Sequence, residues 1–201
     1  MSNLSPTGNH LADGTHTIRD YPKVELTQQM IFAAKAMVDR VRVKRTVASK
    51  IDTLAGILGE FAFAQYFFGD WTKNRVGSNK GHTDFTNIDI KTSAFPLREN
   101  LNLLVREDYA QKRKPAFYIQ VIIDVQSPHA DDIKPGTVAY ICGFATAKEV
   151  DEAPKKDFGS KFGRRAGYRC HYVPLPLLHA MDEFEQTYTD FVKGKNAAGG
   201  N

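Results

Sequence analysis

The sequence predicts a mixed α/β fold, α+β in its ordering, with a central mixed β-sheet flanked by helices. Three observations predict it. Helical patterns come early, at residues 26–43 and 53–68; β-branched and aromatic segments gather in the middle; strand and helix patterns then alternate to the end. With 201 residues, 42% of them hydrophobic, the chain can bury one substantial core. That single domain is expected at 21–192, between a flexible polar arm at 1–20 and a flexible tail at 193–201.

The first helix has Thr27 as its N-cap and Met30, Ala33, Ala34, Met37, Val38 and Val41 on one face, and it ends in a basic rim of Arg40, Arg42, Lys44 and Arg45. The second carries Leu54, Ile57, Leu58, Phe61 and Phe68 in a stripe, with Phe63 and Phe67 on another face. It is therefore expected to be buried nearly all round. Residues 71–76 read as a strand, and 82–85 with 88–93 as a hairpin turning at Thr86 and Asn87. A short helix at 106–114 must stop near Pro115. FYIQVIIDV, residues 117–125, reads as a strand covered on both faces. Strands follow at 137–145 and 168–173, a short helix starts near Thr146, and a closing helix at 174–188 carries Leu177, Leu178, Met181 and Phe184.

Lysine and arginine number 27 against 23 acids, for a net charge of +4 that favours an anionic partner. Two cysteines, Cys142 and Cys170, are too few for a disulfide framework or a paired-cysteine metal site, and read as buried thiols. No apolar run is long enough to cross a bilayer, and MSNLSPTGNH lacks the basic-then-apolar layout of a secretory signal. The expectation is a soluble cytoplasmic protein with no membrane partner.

Chemistry concentrates in DFTNIDIKTS, residues 84–93. In the hairpin, Asp84 lies opposite Asp89, and alternation places Asp84, Asp89 and Lys91 on one face with Phe85, Ile88 and Ile90 on the other. Opposed carboxylates repel, so a cation belongs between them, and the site leaves room for a hard divalent ion beside Lys91. Glu60 interrupts the apolar run GILGEFAFAQYFF, and a carboxylate is rarely buried without a partner. The expectation is that it points at the charged face. Three carboxylates and one ammonium suit phosphodiester hydrolysis, with Mg²⁺ polarising a phosphoryl oxygen and Lys91 positioning water. The competing reading is a solvated hairpin face carrying a surface ion pair.

Glu60 within LGEFAFAQYF, followed by TDF, a turn and IDIKTS, resembles the PD-(D/E)XK nuclease superfamily, the restriction-endonuclease-like fold. Thr83 stands where the name-giving proline would be. The resemblance implies an Mg²⁺-dependent DNA endonuclease, with Mn²⁺ able to substitute. Glu60, Asp84 and Asp89 would hold the metal, Lys91 would complete the catalytic set and Gln120 would be auxiliary. A homodimer would place two such sites on the two strands of a duplex. The alternative is a catalytically inactive nucleic-acid-binding or structural protein that keeps the fold.

For the DNA itself, residues 155–171 hold Lys155, Lys156, Lys161, Arg164, Arg165 and Arg169 against Asp157 alone, interleaved with Phe158, Phe162 and Tyr168. This reads as a mobile basic loop able to meet phosphates and stack on bases. Its expected affinity is salt-dependent and largely sequence-independent.

Overall fold

The computed structural model describes residues 21–41, 50–74, 83–108, 114–158 and 168–198, so the arm expected at 1–20 lies outside the described residues. The chain is a mixed α/β protein, with four helices and two sheets among those residues. Strand β1 (Lys23–Glu25) precedes helix α1 (Gln28–Val41), which Thr27 caps by accepting the Met30 N–H at 3.2 Å. Helix α2 (Lys50–Phe68) follows, then strands β2 (Ile88–Ala94), β3 (Asn102–Arg106), β4 (Phe117–Ile123) and β5 (Val138–Thr146). Helix α3 (Ala147–Glu152) opens on a capping box between Thr146 and Glu149. Strands β6 (Lys155–Phe158) and β7 (Tyr168–Pro174) and helix α4 (Phe184–Ala198) complete the order.

The larger sheet has the order β1-β5-β4-β2, with β2 parallel to β4 and the other pairs antiparallel. Every residue of β4 is buried, which accounts for a run of β-branched and aromatic side chains broken only by Gln120. Helices α1, α2 and α4 pack on one face through a core that includes Met30, Leu58, Phe61, Phe63, Ile88, Ile119 and Phe184. Tyr118, Ile122 and Cys142 of the larger sheet gather with Leu103 and Val105 of the second sheet, an antiparallel set ordered β3-β7-β6. Strand β4 is thus sandwiched between two apolar layers.

Four expectations need correction. Residues 71–73 form a short 3₁₀ turn instead of a strand, because the Asp70 carboxylate captures the Thr72 N–H at 3.0 Å and its hydroxyl at 2.7 Å and so starts a helical turn. The closing helix does not begin at 174. Leu175–Leu177 make one 3₁₀ turn, and His179 then exchanges backbone hydrogen bonds with Phe144, at 2.9 and 3.0 Å, before α4 starts at Phe184. That helix runs on to Ala198, so residues 193–198 of the expected tail are helical. Residues 155–158 of the expected basic loop are strand, paired as β6 with β7, which forms where the strand at 168–173 was expected. Of the short helix expected at 106–114, residues 107 and 108 are helical, Arg106 belongs to β3, and residues 109–113 lie outside the described residues.

Both cysteines are free and buried, as expected. No helix among the described residues is long and apolar enough to cross a membrane.

Candidate active site

The turn at Thr86 and Asn87 forms as the sequence predicts. Phe85 and Ile88 exchange N–H···O bonds of 3.0 and 3.1 Å, and Asn87 takes the left-handed conformation at φ 60°, which asparagine tolerates better than most residues. The Asn87 carbonyl accepts the Ala116 and Phe117 N–H groups at 2.8 and 3.0 Å, fastening the turn to the start of β4. From α4, the Tyr188 hydroxyl donates to the Thr86 carbonyl at 3.1 Å and the Lys195 ammonium to the Asn87 side-chain oxygen at 3.2 Å.

The ribbon does not continue past that one pair. Beyond Ile88 the chain runs parallel to β4, so Asp84 does not face Asp89 across a ladder as the hairpin predicts. Asp84 instead turns back along the open edge of β2, where its Oδ2 accepts the Ile90 N–H at 2.7 Å. This satisfies an amide that no neighbouring strand reaches.

Alternation along β2 sends Ile88, Ile90 and Thr92 towards α2 and Asp89 and Lys91 towards the opposite face, where Asp89 sits in register with Tyr118 and Lys91 with Gln120. Helix α2 approaches closely because Gly59 has no side chain: a Cβ there would lie 1.9 Å from Thr92 Oγ1. The next residue is Glu60. It lines a cavity of about 250 Å³ at the edge of β2 together with Gly56, Asp84, Asp89, Ile90, Lys91 and Tyr118. The four ionisable residues singled out from the sequence therefore share one cleft, although Glu60 reaches it from the far side of the sheet.

Burial, followed by the charges of Asp84 and Asp89, raises the Glu60 carboxyl to about 9. Lys91 is ion-paired with Asp89, and its ammonium stands 5.9 Å from the centre of the Tyr118 ring. Tyr118 is itself pushed above its ordinary value, by burial and then by the charges of Asp89 and Asp151. Glu60 holds its proton mainly because its carboxyl is buried, and the neighbouring charges of Asp84 and Asp89 add to this.

Oxygen-only donors are the chemistry of a hard cation. No assembled group of three histidine, cysteine or acidic side chains is present among the described residues. Glu60, Asp84 and Asp89 are the acidic residues of the cavity that could hold a hard cation.

Other expected site residues fare differently. Gln120 is buried beside Lys91, but its amide donates to the Val121 carbonyl at 2.9 Å, where β4 slips register against β5. It supports the strand and does not line the cavity. Lys155 and Lys156 lie on β6 and Arg169 on β7, while Lys161, Arg164 and Arg165 fall outside the described residues. Lys155 is paired with Glu107 at 2.8 Å, and the Phe158 ring packs edge-on to Tyr172. Lys156 and Arg169 are exposed. Sequence reasoning missed Tyr118 and Gly56 as lining residues; finding Tyr118 required knowing that β2 and β4 pair in parallel. No protein-family model, curated protein or solved structure matches the chain.

Proposed function

We propose that the chain is an Mg²⁺-dependent nuclease that hydrolyses DNA phosphodiester bonds, and that it acts in the cytoplasm, where buried free thiols such as Cys142 and Cys170 persist. The observation that carries this reading is the convergence of Glu60, Asp84, Asp89 and Lys91 on one cavity at the edge of β2. When bound, Mg²⁺ or Mn²⁺ supplies Lewis-acid polarisation of a phosphoryl oxygen and a water of lowered pKa. Glu60, Asp84 and Asp89 would hold it.

The chain's own residues have distinct work. Asp89 and the Tyr118 ring hold the Lys91 ammonium in place. From there its N–H groups can orient an attacking water and stabilise charge developing on the phosphoryl oxygens. The bond between Asp84 and the Ile90 N–H fixes that carboxylate against the strand at the lining of the cavity. Lys156 and Arg169 offer phosphate contacts on the second sheet. Two copies of the chain acting together would cut both strands of a duplex.

The test is cleavage of duplex DNA by purified protein with Mg²⁺. Lys91→Ala should lose about 100-fold or more in rate, in line with removal of a proton-handling group, while keeping its circular dichroism spectrum. Equal cutting by that variant would sink the assignment. One observation favours a second reading, a nucleic-acid-binding or structural protein without catalysis: Asp84 and Asp89 already have partners in Ile90 and Lys91. Calorimetry with Mn²⁺ separates the two. Asp89→Ala eliminates ion uptake under the first reading and changes nothing under the second.

A further inference from the structure

Helix α2 carries two glycines three residues apart, and they face different surroundings. At Gly59 an added Cβ would strike Thr92, so the glycine is explained by close packing. At Gly56 an added Cβ would find no atom of the described residues within 4 Å. A glycine in a helix interior costs about 0.5–1 kcal/mol relative to alanine, and at Gly56 no contact among the described residues explains that cost. Gly56 lies one helical turn before Glu60, on the same side of α2, and both line the cavity that holds Asp84, Asp89 and Lys91. The space it leaves is continuous with the carboxyl cluster.

We propose that the space over Gly56 is the berth of the substrate's phosphodiester group, so that Gly56 sets the size of what reaches Glu60, Asp84, Asp89 and Lys91. This rests on the nuclease reading above and adds to it the place where the anionic group enters. Bulk at position 56 would project into the cavity above Glu60. Alanine narrows the berth, and leucine fills it. The Cβ of either residue meets no atom of the described residues within 4 Å.

The experiment compares the parent with Gly56→Ala and Gly56→Leu in three measurements: thermal unfolding, calorimetric uptake of Mn²⁺ alone, and cleavage of a labelled duplex DNA with Mg²⁺. Expected are unfolding temperatures at or above the parent's, unchanged Mn²⁺ uptake in both variants, and a cleavage loss of about 100-fold or more in Gly56→Leu, on the scale of losses from misplaced reactants. Gly56→Ala should fall between. If Gly56→Leu cuts as fast as the parent, the berth is elsewhere and the nuclease reading stands. If Gly56→Leu loses Mn²⁺ uptake along with cutting, the leucine has displaced Glu60 and the berth is likewise refuted. If the parent itself cuts no DNA, both the nuclease reading and the berth fall.

Discussion

Replacing Glu60 by glutamine tests the convergence of acids without any measurement of activity. In buffer free of divalent ions, the folded chain holds the Glu60 proton up to about 9, against an ordinary 4.5 for the unfolded chain. Folding therefore takes up a proton within that window. The stabilisation is fully present below the lower value and is lost as pH rises through the upper one. One proton per folding event gives a slope on the order of 1 kcal/mol per pH unit, so the parent should lose roughly 2 kcal/mol between about pH 6 and pH 8 relative to Glu60→Gln. For a chain of this size that is a relative fall of about 4–8 °C in Tm. Thermal unfolding followed by circular dichroism, in EDTA at closely spaced pH values, reads it directly. Added Mg²⁺ should raise the parent's Tm more at the higher pH, because the ion and the proton compete for the same carboxyl. Parallel pH profiles for the parent and Glu60→Gln would mean that Glu60 is neither buried nor close to Asp84 and Asp89, and the site would have to be abandoned.

Three further outcomes are expected. Gly59→Ala puts a Cβ 1.9 Å from Thr92 Oγ1 and 2.8 Å from Thr92 Cβ, so urea unfolding should show a loss of about 1–3 kcal/mol from overpacking, partly restored by adding Thr92→Ala. Asp84→Ala strands the Ile90 N–H and should cost about 1–3 kcal/mol. Asp84→Asn keeps an acceptor there, and should hold stability closer to the parent's while weakening Mn²⁺ uptake in calorimetry. The His179–Glu149 pair, 2.6 Å apart, ties the segment before α4 to the N-terminus of α3. Its hydrogen bond holds Glu149 down at about 2 and raises His179. The histidine's contribution is fully present below its unfolded pKa and fades as pH rises through the raised one; the glutamate's is present above its unfolded value and fades as pH falls towards 2. In urea melts His179→Ala should therefore destabilise by up to about 1 kcal/mol near pH 5.5 and by less near pH 8.5, and an unchanged deficit would refute the pairing.

Much of this architecture was legible in the residues. Strand β4 announced itself by a nearly continuous apolar run, α2 by aromatic residues on more than one face, and α3 by a helical pattern starting near Thr146. The four ionisable residues of the cleft were also legible, since a carboxylate inside an aromatic helix and an acid-x-lysine triplet on a strand both demand a partner. What the sequence did not disclose was which strand β2 would pair with. A two-residue turn looks the same whether the ribbon zips up or parts after one rung, and only the capture of Asn87 by the Ala116 and Phe117 amides decides for the parallel partner. Hence Asp84 was assigned a place across from Asp89 when it lies along the strand edge. The late start of α4 was hidden for a similar reason: the backbone pairing of His179 with Phe144 is a contact between distant segments that leaves no local pattern.

The fastening of the Thr86–Asn87 turn by Tyr188 and Lys195 has a consequence for how the cleft is kept in shape. The loop that aims Asp84 is clasped by side chains a hundred positions further along, near the last turns of the final helix. Unwinding that helix would free the loop tip without touching any acid in the cleft. The outer turns of that helix thus act as a clasp, and loosening them would slacken the cleft from behind.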